Sequence, residues 1–147
     1  MQSDIRNDLV YLLRVLESIG KIQLYKGRID DPIEFFQIND QQAFNASLLL
    51  LINIGEHVGR VSEDMKTSYT HIPWQQIKDL RNRVAHNYVG IDRFITFDII
   101  LNELPKLKIE FENIIRLELL DGHFDVTEYE LARKSEYYSH IDYKNID

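Results

Sequence analysis

Ala43-Phe44-Asn45-Ala46-Ser47-Leu48-Leu49-Leu50-Leu51-Ile52-Asn53-Ile54-Gly55-Glu56-His57-Val58-Gly59 is the stretch that decides the fold. Ala43, Phe44, Ser47, Leu48, Leu51, Ile52 and Val58 recur at helical spacing. Between Leu48 and Ile54 the segment is apolar nearly all round, so the helix belongs at the centre of a helical domain. Gly55 and Gly59 lie one turn apart. They read as room for another backbone to approach closely, with a functional contact as the alternative.

Outward from this helix the same period returns. Ile5, Leu9, Leu12, Leu13, Leu16 and Ile19 predict an amphipathic helix, with Ser3 as its N-cap and Gly27 as its stop. Asp31-Pro32 reads as a cap followed by proline at the first helical position, ahead of Ile33, Phe35 and Phe36. Residues 60–71 are polar and read as a connection. Pro73 restarts a helix with Trp74, Ile77, Leu80 and Val84 on one face, fading near Asn87–Gly90. Asp92 caps the last long helix, which Pro105 kinks or splits because it lacks a backbone donor. No segment alternates as a strand. The expected fold is all-α: an antiparallel bundle of four to five helices over residues 1–120, followed by an acidic C-terminal extension, 121–147, with a short helix around 127–139.

Composition narrows the chemistry. The chain has 147 residues, enough for one domain with a real core. Its 6 Gly and 3 Pro are too few for a many-turned β-fold, and it has no Cys, which removes disulfides, thiol catalysis and cysteine-held metals. The longest apolar run, Leu48–Ile52, is far short of the ~20 residues a membrane span needs. Met1-Gln2-Ser3-Asp4 does not open a signal peptide, so a cytoplasmic protein with no membrane partner is expected. The residues three before His57, His71, His86, His123 and His140 are Ile54, Ser68, Arg83, Leu120 and Tyr137. No inward Glu-x-x-His pair is therefore available for a di-iron centre. Walker, dinucleotide, EF-hand and G-x-S-x-G patterns are also missing, and no metal or nucleotide cofactor is expected.

The net charge of −7 argues against non-specific coating of nucleic acid. The excess is uneven. Residues 121–147 hold 7 acids and 3 bases (−4), which leaves 17 acids and 14 bases (−3) for residues 1–120. Within residues 74–93, Lys78, Arg81, Arg83 and Arg93 face only Asp79 and Asp92, a local +2.

That basic stretch contains Arg81-Asn82-Arg83-Val84-Ala85-His86-Asn87-Tyr88. A guanidinium recognises phosphate through a fixed fork of donors, and an imidazole takes and returns a proton near neutral pH. Together they are the minimal parts for cleaving a phosphodiester without metal. Five residues at about 100° each put Arg81 and His86 about 140° apart on a straight helix. Convergence requires the helix to end or distort near His86, or a second copy to complete the site. The plainer reading is a basic, solvated helix end with a capping histidine.

Arg81-Asn82-x3-His86-x-Tyr88, followed by Gly90-Ile91-Asp92, resembles the signature of HepT-like HEPN-domain toxins. Ile54-Gly55-Glu56, Trp74, Ile77 and the Leu104-Pro105-x-Leu107 step fit the same pattern, so the resemblance covers roughly residues 4–117. The resemblance implies an all-helical ribonuclease toxin acting as a homodimer. It implies a minimal nucleotidyltransferase antitoxin as partner, RNA as substrate, and attack by the ribose 2′-OH. Arg81, Asn82 and His86 would be catalytic, and Tyr88 would accept AMP from the antitoxin (AMPylation). Charge alone adds Arg83 as a phosphate contact. Glu56 would support the site, with an exposed or capping role as the alternative. The competing functions are a non-catalytic HEPN-like dimer that binds RNA or a protein, and a structural bundle that stays monomeric. The extension beyond residue 120 is longer than the family pattern accounts for.

Overall fold

The computed structural model describes residues 2–86 and 90–147, with side chains from residue 7 onward except that of His86. The first helix, α1 (Gln2–Lys26), starts one residue before Ser3, so Ser3 lies within the helix and not at its cap. It stops at Gly27, whose φ of +53° is the left-handed conformation glycine adopts without a Cβ penalty. Its N–H donates to Gln23 O at 2.9 Å.

α2 (Pro32–Arg60) starts as expected. The Asp31 side chain accepts from Glu34 N at 2.8 Å and Pro32 opens the first turn. The helix is broken once, at an extended Ile38 and a left-handed run of Asn39, Asp40 and Gln41 (φ 52°, 53° and 67°). Asn and Asp tolerate that region because short polar side chains find local partners, whereas Gln41 is strained there. Beyond the break Phe44, Ser47, Leu51, Ile54, Gly55 and Val58 are buried, which makes this half of α2 the central helix. α1 packs along α2 with Leu9, Leu12, Leu13, Val15, Leu16, Ile19 and Ile22 in the core.

Residues 60–71 hold a short helix, α3 (Glu63–Ser68), where a plain connection was expected. Ser62 caps it, accepting from Met65 N at 3.2 Å, and Met65 is buried beneath it. Asp8 on α1 pins the cap, accepting from Ser62 N at 2.8 Å and from Ser62 Oγ at 2.6 Å. A single apolar anchor in a polar run leaves no periodicity to read.

The helix expected from Pro73 is two short helices, α4 (Trp74–Lys78) and α5 (Leu80–Val84), separated at Asp79. It ends earlier than its pattern suggests. Ala85 is extended, and β1 (Ala85–His86) pairs antiparallel with β2 (Gly90–Ile91), a two-residue ladder absent from the sequence reading. Asp92 N–H donates to Val84 O at 2.8 Å and closes the excursion. Such short strands carry no alternating pattern.

Asp92 caps α6 (Arg93–Asp98), accepting from Phe94 N and Ile95 N at 3.0 Å each. A π-turn (Ile99–Glu103) joins it to α7 (Leu104–Leu120). Leu104 N–H donates to Ile99 O, five residues back, and Pro105 lies in the first turn of α7. The missing proline donor thus resets the helix register instead of breaking it into separate rods. The architecture is the all-α bundle that the periodicity predicts, with its C-terminal segment continuing as α8 (Val126–Lys134) and two single 3₁₀ turns. Phe124, Tyr129, Ile141 and Ile146 of that segment are buried with the same core. His140 N–H donates to Glu17 Oε1 on α1 at 2.7 Å.

Candidate functional site

Gly55 on α2 is where the site begins. A Cβ there would lie 3.1 Å from both Ile77 O and Lys78 O, so glycine lets the end of α4 rest on the central helix closer than a side chain would without a shift. α4 is held from its other side by Trp74, which packs against Phe111 of α7 at 5.7 Å and donates from Nε1 to Tyr69 O at 2.9 Å. Ile77, Leu80 and Val84 are buried, and Arg81 and Asn82 therefore face outward.

Between α2 and the α4–α5 pair runs an open groove of about 410 Å³. Gly55, Gly59 and Ile52 line it together with Glu56, Arg60, Lys78, Arg81 and Asn82. The structure brings three of the sequence-predicted site residues, Glu56, Arg81 and Asn82, into one groove. It adds two that sequence reasoning missed, Arg60 and Lys78. The signals were there: Lys78 precedes Arg81 by three residues, a same-face helical spacing, and Arg60 follows Gly59 directly. Among the described residues none of Arg60, Lys78 and Arg81 is ion-paired.

Arg83 is placed differently. Its Nη1 donates to Glu103 Oε1 at 2.9 Å and its Nη2 to Glu103 Oε2 at 2.5 Å, a bidentate pair between α5 and the π-turn. The hydrogen bond to Glu103 raises the guanidinium pKa further above its ordinary value. The fork that charge alone assigned to phosphate is engaged within the chain. His86 stands on β1, beyond the end of α5, so it does not continue the helical register of Arg81. Tyr88 lies outside the described residues.

His57 sits next to this face. Its ring stacks on Tyr11 at 6.3 Å, and its Nδ1 is buried without a hydrogen-bond partner. Burial, then the positive charges of Arg14 and Arg60, push its pKa below the usual imidazole value, against a weaker opposing pull from Glu56. The imidazole is therefore held neutral.

Two other features lie apart from the groove. An apolar pocket of about 320 Å³ between α4 and α7 is lined by Ile72, Ile77, Leu104 and Leu107, with Glu103 and the His71–Glu110 pair (2.7 Å) also on its wall. Among the described residues, Glu118, Asp121 and His123 bring ligand atoms within 4.8 Å of one another. They stand at the C-terminal end of α7, and His123 Nδ1 lies 3.0 Å from Glu118 Oε2. Among the described residues, no helix is long and apolar enough to cross a membrane.

A family model described as ribonuclease HepT-like matches residues 15–114. The chain belongs to the HepT-like family. The match runs from α1 into α7 and takes in the groove, the π-turn and the Arg81–His86 segment. "Gamma-glutamylcyclotransferase and putative RNase MJ0434" of Methanocaldococcus jannaschii is 30% identical over 116 residues, 78% of this chain and 49% of that protein. The chain thus spans about half the length of that curated relative. "Putative RNase MJ1380" of the same organism is 31% identical over 73% of this chain and 95% of its own length. "Probable ribonuclease HepT" of Thermococcus cleftensis is 28% identical, covering 71% of this chain and 92% of its own. No solved structure matches the HepT-like chain significantly.

Proposed function

We propose that this HepT-like chain is an RNA endonuclease that needs no metal, and that it serves as the toxin of a toxin–antitoxin pair. The observation that carries the reading is Arg81, exposed and not ion-paired among the described residues, beside Asn82 in a groove of net positive charge. The names of its relatives point to the same substrate class.

In this mechanism the ribose 2′-oxygen attacks the adjacent phosphorus while its proton passes to a base. The bond from phosphorus to the 5′-oxygen breaks, and that oxygen takes up a proton. The products are a 2′,3′-cyclic phosphate and a 5′-hydroxyl. His86 serves these proton transfers, a role worth typically 10²–10⁴-fold. Arg81 stabilises the charge that builds on the phosphorane, where one well-placed donor contributes roughly 3–4 kcal/mol. Asn82 fixes the imidazole or a phosphate oxygen, and Glu56 supports the site from α2.

His86 lies past the helix end, and two copies of the motif in a homodimer would supply both a base and an acid. The partner proposed for silencing is a minimal nucleotidyltransferase antitoxin that joins AMP to Tyr88. A phosphodiester on that phenol would add an anion beside the arginines and occupy the space the RNA needs.

The test is incubation of the purified protein with total RNA in EDTA, followed by mapping of the cut ends. The parent cuts and leaves cyclic phosphates, and His86→Ala does not cut. Equal cutting by His86→Ala, or loss of parent activity in EDTA, would refute the mechanism. Intact-protein mass spectrometry after co-expression with the nucleotidyltransferase tests the role of Tyr88. Sedimentation tests the dimer.

A further inference from the structure

We infer that Arg60 and Lys78 form a second phosphate subsite, which takes a backbone phosphate neighbouring the one cut. The inference deepens the ribonuclease reading and rests on it for the identity of the strand.

The argument starts from charge. Elsewhere in this acidic chain many basic side chains are tied to carboxylates: Lys21 to Glu17, Lys66 to Glu63, Lys108 to Glu112. Among the described residues, the groove cations Arg60, Lys78 and Arg81 are not ion-paired and Glu56 is the only carboxylate lining the groove. The lining therefore carries +2. Exposed cations that share an open groove repel one another, and an anion laid between them removes that repulsion.

Shape adds to this. Gly55 and Gly59 put no side chain on their part of the α2 wall, so the groove is recessed between Arg60 on one helix and Lys78 and Arg81 on the other pair. Arg60, Lys78 and Arg81 are all exposed and reach the groove from different backbone segments. A chain of phosphates can thus meet Arg81 and the Arg60–Lys78 pair in one pass. Among the described residues no aromatic side chain lines the groove, and Ile52 is its only large apolar wall. Its described lining gives no ring for a base to stack on, so Arg60 and Lys78 hold backbone and contribute affinity without sequence preference.

The experiment compares the parent with Arg60→Gln, Lys78→Gln and the double variant. Binding of a short single-stranded RNA, blocked against cleavage by 2′-O-methylation, is followed by fluorescence anisotropy across a salt series. Each single variant is expected to bind roughly three- to tenfold more weakly. The double variant should lose about 0.7 from the slope of log affinity against log salt, the contribution of one neutralised phosphate. In cleavage of long RNA the double variant should raise KM and keep kcat, and on a dinucleotide with one phosphate it should match the parent. Parent-like affinity and salt slope in the double variant would overturn the subsite and leave the catalytic reading untouched. A parent that binds through Arg60 and Lys78 and cuts no RNA would uphold the subsite and sink the nuclease reading.

Discussion

Arg81 and Arg83 stand two residues apart on one short helix and belong to different regions of the molecule. Arg81 lines the groove against α2, exposed and unpaired among the described residues. Arg83 faces the π-turn and is clamped by Glu103 through both arms of its fork. The groove side collects a net positive charge whose cations are not ion-paired among the described residues. The π-turn side pairs its charge and continues into an apolar pocket. Identical side chains thus take opposite work: one is kept available to a ligand, and the other braces the segment that presents it.

The largest break in this comparison comes from the floor they share. Gly55→Val places branched carbons where a Cβ already meets two carbonyl oxygens at 3.1 Å. It should force α4 off α2 and cost roughly 1–3 kcal/mol of stability, as overpacking does. Urea denaturation measures it, and RNA cleavage should fall with it because Lys78, Arg81 and Asn82 ride on the displaced helices. Gly59→Ala is the control. Its Cβ would come nearest the flexible Lys78 side chain, at 3.5 Å, and it should be far milder.

Next comes the brace itself. Arg83→Gln removes a bidentate pair whose side chains are 29% and 40% exposed. At that exposure solvent screens the pair, and its loss should cost about 1 kcal/mol or less. A double-mutant cycle with Glu103→Gln isolates the coupling. Zero coupling would mean that Arg83 is as available to a ligand as Arg81.

How much of this was legible beforehand follows the length scale of each feature. Gly27, Asp31-Pro32 and Asp92 act on their own backbone neighbours, so their roles are visible in local sequence, and the structure bears them out. The close approach at Gly55 was readable from a glycine in an apolar helix. The Arg83–Glu103 pair joins residues 20 apart across the bundle, and charge alone made Arg83 a phosphate ligand instead. α3 and the β1–β2 ladder escaped because a single buried Met65 and two-residue strands leave no period. Arg60 and Lys78 escaped because their shared groove exists only once α4 lies on α2.

Smaller effects are expected from His57, at the edge of the groove face. Its pKa is lowered chiefly by burial, and then by Arg14 and Arg60, so the unfolded chain binds a proton that the folded chain resists. Its contribution is therefore complete above the ordinary imidazole value of about 6.5 and is lost as pH falls through the lower folded value. His57→Phe keeps a ring against Tyr11 and should flatten the loss of stability below pH ~6.5 in denaturation curves. His123 has the opposite sign, because its hydrogen bond to Glu118 raises its pKa. That stabilisation is present below about 6.5 and fades as pH rises through the raised value. An unchanged pH profile in His57→Phe would remove the electrostatic link between His57 and the groove cations.

The smallest effect is expected in the C-terminal segment, which does not line the groove. Tyr129 Oη donates to Asp147 at 2.8 Å, and Arg133 pairs with the same carboxylate. Burial, followed by the bond to Asp147, raises the Tyr129 pKa. Asp147→Asn should loosen the last turn, seen as faster amide exchange around Tyr143–Asn145, while leaving RNA cleavage at the parent rate. Reduced cleavage would tie the C-terminal segment to the groove.

The most direct test of the central claim is the cleavage rate of one RNA substrate in EDTA, measured for Arg81→Gln and Arg83→Gln well below their unfolding temperatures. If Arg81 stabilises the transition state and Arg83 only braces the helix, Arg81→Gln loses about 10²–10³ in kcat with unchanged stability. Arg83→Gln then keeps its rate within a few-fold and loses only stability. Parent-like cleavage by Arg81→Gln, or equal loss in the two variants, would contradict the division of roles between the two arginines.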